Sequence, residues 1–142
     1  LVKKQSLITT FFIKNINTLS KPRFVRNILS KILDYNDFYV LSLGGGTPCY
    51  FDNMELINKK TNLTFFLNLE SKILAERLFS RKSTRPIIKS INNKSEMLSF
   101  VNKHLFERNI YYSKANYTIN SNKRDVKKIC DEILKILEKN GL

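Results

Sequence analysis

Glycine is scarce in this sequence: 142 residues hold 4, three of them consecutive at Gly44, Gly45 and Gly46 and the last at Gly141. No two stand at the spacing of G-x-x-x-x-G-K-S/T, the loop whose amides cradle a triphosphate, whose lysine neutralises charge and whose hydroxyl holds Mg2+. No disguised version of that loop can be hiding. Tryptophan is absent, histidine occurs once (His104), and the two cysteines, Cys49 and Cys130, lie far apart with no C-x-x-C pair. A disulfide framework or zinc site is therefore not expected, and a reducing cytoplasm fits best. Long apolar runs are missing too. The longest near the start, Leu7 to Ile13, is interrupted by Thr9 and Thr10 and is too short for a membrane span or a signal core. Nothing in the sequence marks it for export or for a membrane.

Negative charge is also in short supply, with 12 acidic against 25 basic residues and a formal net charge of +13. Such a surface attracts phosphates of any kind. Lysine and asparagine are abundant throughout, which can reflect genomic base composition, and no aromatic-rich strand motif supports specific nucleic-acid recognition. The first residue is Leu1 rather than Met, which fits a partial reading frame, an unusual start codon or trimming.

What is present reads as alternating strands and helices. Ser20 and Pro22 open a helix over about residues 22–35, with Val25, Ile28, Leu29, Ile32 and Leu33 along one face. Phe38 to Leu43 is a nearly all-apolar run ended by the three glycines, as expected for a strand buried on both faces of a parallel sheet. Asp52 with Glu55 predicts a capping box for a short helix around Met54 to Asn58, and Leu63 to Leu69 reads as a second buried strand. A helix follows from Ser71, with Ile73, Leu74 and Leu78. The basic stretch Arg81 to Lys89, carrying Pro86, reads as a mobile loop. Asn93 with Glu96 starts another helix, whose Leu98, Val101 and Leu105 share a face, and Tyr117 to Ile119 is a third strand. The final helix begins at Ser121 or Asn122, closes near Gly141, and carries the stripe Val126, Ile129, Cys130, Ile133, Leu134 and Leu137. The fold class is α/β, layered on a mainly parallel sheet.

The run VLSLGGGTPCY, Val40 to Tyr50, concentrates the chemistry. Glycine has no Cβ, so backbone amides there can meet an anionic or hydroxylated ligand, and open α/β sheets bind ligands beyond the carboxyl ends of their strands. A plain tight turn is the alternative. Cys49 beside it has no histidine or acid partner in the sequence nearby and is not a nucleophile candidate. His104 reads as a helix-surface residue.

Strand-GGG, then TRPII at Thr84 to Ile88, then HLFERNIYYSKA at His104 to Ala115, resembles the C-terminal two-thirds of a shikimate kinase over about Phe38 to Leu137. The resemblance implies a P-loop, nucleoside-monophosphate-kinase-like three-layer fold, here incomplete, with residues 38–142 as the α/β domain and 1–37 as a divergent segment. It implies ATP-dependent phosphorylation of shikimate, with ATP and Mg2+ as cofactors, in aromatic amino acid biosynthesis. On it, Gly44, Gly45 and Gly46 contact shikimate, and Arg108, in the R-x-x-x-Y pattern completed by Tyr112, pairs with its carboxylate. Arg85, in the lid, reaches the nucleotide phosphates, and Arg124 matches an adenine-contacting arginine. Those roles make chemical sense, because a planar guanidinium grips a carboxylate through two parallel hydrogen bonds. A lid arginine adds charge to a transferring phosphoryl group only on closure. A monomeric chain is expected.

The sequence departs from the family in three places. The triphosphate loop is missing, no Asp-x-Asp occurs, and the stretch SKPRFVRNIL stands where the family has F-R-x-x-E, so Arg23 and Arg26 are not carried over as site residues. Leu1 to Leu19 could lie downstream of a frameshift. Loss of activity in this chain is therefore expected, and a non-catalytic remnant or small-molecule-binding module is the alternative function. By resemblance the family's first strand lies mid-sheet, so its loss leaves two unpaired inner edges. Marginal stability follows unless Leu7 to Ile13 substitutes as a strand.

Overall fold

The structure is a computed structural model that describes residues 22–35, 39–82 and 86–142. The chain divides into two compact units with the boundary after Thr61. The expectations for Ser20, for Leu7 to Ile13, for Phe38 and for Arg85 lie outside the described residues.

In the first unit, helix α1 runs Pro22–Leu33. Proline suits its first turn, where an N–H would have no intrahelical acceptor. The apolar face seats Leu29 and Leu33 in the core, at 3% and 8% exposure. Asp34 is already in a turn, so the helix is shorter than the pattern over 22–35 predicts. Residues 39–43 form no strand, contrary to the sequence reading, and alternate between half-buried and exposed, with Val40 59% exposed. An extended segment becomes a strand only when a neighbour takes its ladder hydrogen bonds, and the described residues offer it none. A 3-10 turn over Thr47–Cys49 leads to α2, Asn53–Lys60, which buries Met54 and Ile57 at i, i+3 spacing. The expected Asp52–Glu55 capping box does not form. Asp52 instead spends its carboxylate on Arg26 of α1, whose Nη2 lies 2.9 Å from Oδ1 and 3.1 Å from Oδ2. Lys60 and Asp34 meet at 2.6 Å, an exposed pair worth at most about 1 kcal/mol.

The second unit is built on two parallel strands, β1 at Phe65–Asn68 and β2 at Tyr117–Asn120, in the register Phe65↔Tyr117 to Asn68↔Asn120. Phe65 and Tyr117 stack across that register with centroids 5.3 Å apart. Side chains fasten both ends. At the entry the Asn116 N–H donates to Thr64 Oγ1, 2.9 Å; at the exit the Glu70 N–H donates to Asn122 Oδ1, 2.7 Å, and Asn122 Nδ2 returns a bond to Glu70 Oε1, 3.0 Å. The strand expected over Leu63 to Leu69 exists but is not buried on both faces: Leu67 is 53% exposed, because a two-stranded sheet does not present two covered faces.

Helices α3, Ser71–Ser80, and α4, Lys94–Tyr112, pack against one another around Ala75, Met97 and Val101. Ile88 completes that core. It lies in a 3-10 turn over Pro86–Ile88, so the tail of the stretch expected to be a loop is anchored. Lys82 is held as well, its Nζ donating to the Ile91 carbonyl at 2.7 Å and lying 4.8 Å from the Phe79 ring centre. The Asn93–Glu96 box forms as the sequence predicts: Asn93 Oδ1 accepts from the Glu96 N–H at 2.9 Å. Helix α5, Val126–Lys139, starts later than Ser121 or Asn122, since Asn122 is committed to Glu70. Its stripe is only half-covered, with Val126 and Leu134 exposed. Among the described residues no helix is long and apolar enough to cross a membrane.

Candidate functional site

The glycine loop is tied into a compact turn by its own backbone. The Thr47 N–H donates to the Gly44 carbonyl at 2.9 Å, the Cys49 N–H donates to the Gly46 carbonyl at 3.0 Å, and the Cys49 thiol points at the Gly45 carbonyl, 3.6 Å away. Neither Gly44 nor Gly46 occupies the left-handed region; that conformation falls instead on Phe51, at φ 50. A bulky aromatic there is strained, at a cost of order 1–3 kcal/mol. At position 46 an added Cβ would sit 3.4 Å from the Tyr50 ring, an ordinary contact distance, so packing does not demand glycine there. Gly44 and Gly45 are exposed.

Beside this loop in the same unit, Arg23, Arg26, Asn27, Phe51 and Asp52 line an open cleft of about 260 Å3. The Arg26 guanidinium is held by Asp52 through Nη2, while its Nη1 is buried and makes no hydrogen bond. Tyr39, farther along, has its phenol pushed above the ordinary 10.0 by burial, then by the Asp34 carboxylate, with Lys60 opposing.

In the second unit Arg108 and Tyr112 lie one helical turn apart on α4, and Tyr112 packs on Phe66 of β1, ring centres 5.1 Å apart. That contact turns the Arg-x-x-x-Tyr face of the helix toward the sheet. Arg108 is half-buried, yet no carboxylate among the described residues pairs with it. Its sequence neighbour Glu107 turns to His104 instead, at 3.8 Å from Nδ1. Arg124 is the opposite case. Its Nη1 donates to the Asn120 carbonyl at 2.9 Å and meets Glu132 at 2.5 Å, while Nη2 donates to the Lys128 carbonyl at 3.2 Å. It clips the end of β2 to α5.

The glycine loop thus belongs to one unit and Arg108 and Arg124 to the other; Arg85 lies outside the described residues. The sequence reading missed Asn53, fully buried against the loop, and the Glu70–Asn122 lock at the strand exits. A polar residue just inside a helix start ordinarily faces water, so no signal pointed to Asn53. Among the described residues no group of three His, Cys, Asp or Glu gathers as a metal site. With no glycine-lysine loop in the sequence either, the residues of this chain do not by themselves fit an ATP and Mg2+ pair.

Comparison with known proteins adds to this. The sequence model of the shikimate kinase family matches residues 23–138. Over 99 residues the chain is 42% identical to the shikimate kinase of Flavobacterium psychrophilum, covering 70% of this chain and 57% of that one. Over 116 residues it is 37% identical to that of Parabacteroides distasonis, covering 79% and 65%. The crystal structure of shikimate kinase from Bacteroides thetaiotaomicron superposes with a TM-score of 0.71 at 31% identity, over 85% of this chain and 68% of that one. The chain therefore spans less than two thirds of the length of these two relatives, and its fold is that of the family's α/β kinases. The 142-residue chain belongs to the shikimate kinase family.

Proposed function

We propose that this chain carries the shikimate-binding portion of a cytoplasmic shikimate kinase, the enzyme that transfers a phosphoryl group from ATP to a shikimate hydroxyl. By resemblance Arg108, in the second unit, is assigned to the carboxylate, and Gly44 to Gly46, in the first, to shikimate contacts. The observation that carries this reading is Arg108: a half-buried guanidinium on α4 with no carboxylate partner among the described residues. A planar guanidinium can take a carboxylate through two parallel charge-assisted hydrogen bonds. By resemblance Arg85 is assigned to the nucleotide phosphates and Arg124 to the adenine, both conditional on a phosphate-cradling loop that these 142 residues do not contain. Turnover by the chain alone is not expected.

Titration with shikimate tests the binding. Arg108→Ala should raise the Kd by roughly 10- to 100-fold, the loss of a charge-assisted bidentate contact, and Arg108→Lys should recover only part of it. Equal affinity in all three proteins would defeat the assignment. A second reading, a non-catalytic small-molecule-binding module, is favoured by the missing triphosphate loop. The two separate in a kinase assay on a fusion carrying the part of the Bacteroides thetaiotaomicron enzyme that this chain does not match. Restored turnover supports the kinase, and a persistently inactive fusion that still binds shikimate supports the module.

A further inference from the structure

A loop of three glycines has no side chains with which to hold itself, and glycine has the most backbone freedom to lose on ordering. Its shape rests on the backbone bonds of the turn and on what anchors that turn from outside. The group placed to anchor it is Asn53, the first residue of α2, which is 0% exposed. Its Nδ2 donates to the Thr47 carbonyl at 2.7 Å, and its N–H donates to the Tyr50 carbonyl at 3.1 Å. Thr47 in turn donates its own N–H to the Gly44 carbonyl at 2.9 Å, so two bonds in series join the buried amide to the head of the glycine run. The left-handed turn at Phe51 folds the chain back between them. The orientation of the amide is fixed by chemistry, since the Thr47 carbonyl can only accept. Asn53 Oδ1 is buried with no partner, so the amide is retained in the core for what its nitrogen does.

We propose that Asn53 is a positioning residue that sets the ligand-facing shape of the Gly44–Gly46 loop through the Thr47 carbonyl. This rests on reading that loop as a shikimate contact. Asparagine to aspartate is nearly isosteric, but only the protonated acid can donate to Thr47; the carboxylate cannot, and it faces a carbonyl oxygen. Burial and that oxygen both raise the introduced acid above the ordinary carboxylate range. Asn53→Asp should therefore behave like the native chain at low pH and lose the bond as pH rises. The charged or titratable groups on the elements packed here are Arg23, Arg26 and Lys31 of α1, Arg26 being paired with Asp52, the Cys49 thiol of the turn with Tyr50 after it, and Glu55, Lys59 and Lys60 of α2. Asn53→Ala adds no titrating group and serves as the control for them.

The test uses the full chain labelled with 15N-glycine, which gives four amide signals, three from the loop and one from Gly141. Native chain, Asn53→Asp and Asn53→Ala are compared at pH 5 and pH 8, with shikimate titrated into each. For Asn53→Asp the loop signals and the affinity should match the native chain at pH 5. At pH 8 the three loop signals should move while Gly141 stays, and the Kd should rise about tenfold, as for the loss of one hydrogen bond. Asn53→Ala should show the displaced loop and the weaker binding at both pH values. It also decides the matter if the aspartate variant unfolds at pH 8. Unmoved loop signals in the variants overturn the proposal, as do moved signals with unchanged affinity, which would leave Asn53 a purely structural group. If the native chain does not bind shikimate at all, the functional reading fails separately, and the loop signals still report whether Asn53 shapes the loop.

Discussion

Two arginines with similar sequence credentials end in opposite states. Arg124 donates to two carbonyls and Glu132, whereas Arg108 pairs with no carboxylate among the described residues. Composition and spacing do not distinguish them; only the positions of distant acceptors do. Tyr39 gives a prediction on the same scale. Its folded pKa is raised, by burial first and the Asp34 carboxylate second, so the neutral phenol is the form that the folded chain favours. Stability from this residue is complete below the ordinary phenol pKa of 10.0 and declines as pH rises through the higher folded value. Tyr39→Phe should flatten the alkaline fall in stability measured by denaturant unfolding between about pH 9 and 11. An unchanged fall would assign the alkaline loss to other groups.

At the level of elements, what was legible was what is local. The Asn93–Glu96 box is a three-residue relation that needs no other part of the chain, and α4 begins where it says. Asn93→Ala should destabilise the second unit by about 1 kcal/mol in urea unfolding, and Asn93→Ser by much less. Equal losses would mean that the cap is idle. The Asp52–Glu55 pair has the same spacing and fails, because Arg26, 26 residues away in sequence, takes the Asp52 carboxylate. Asn122 likewise looked like a helix start and is instead a tie between strand exits, which moves the start of α5 to Val126. The apolar run before the glycines was legible in composition but not in structure: a strand is a relation between two segments, and residues 39–43 have no such partner among the described residues. In the candidate site, the glycine loop and the Arg-x-x-x-Tyr face could be read from the chain. The buried Asn53 could not, since its burial depends on how α2 folds back on the turn.

Across the described residues, the second unit carries a sheet of two strands and the packed pair α3 and α4, and the first unit holds the glycine loop. Parallel strands ordinarily belong to sheets covered on both faces, whereas Leu67 of β1 is exposed, as are Val126 and Leu134 of α5. Folding stability is a small difference between large terms, so this chain should unfold below about 65 °C, within or under the usual range for a mesophilic domain. A cooperative transition well above that would contradict the prediction. Shikimate should raise the midpoint, by mass action on the folded state, in the native chain and not in Arg108→Ala.

Phosphoryl transfer in P-loop kinases depends on amides and a lysine wrapped around a triphosphate, and the 4 glycines of this chain cannot form that wrapping. The most direct test is ADP release by the purified 142-residue chain in the presence of ATP, Mg2+ and shikimate. The account predicts no release above the rate without shikimate. Sustained shikimate-dependent ADP formation by this polypeptide alone would contradict it.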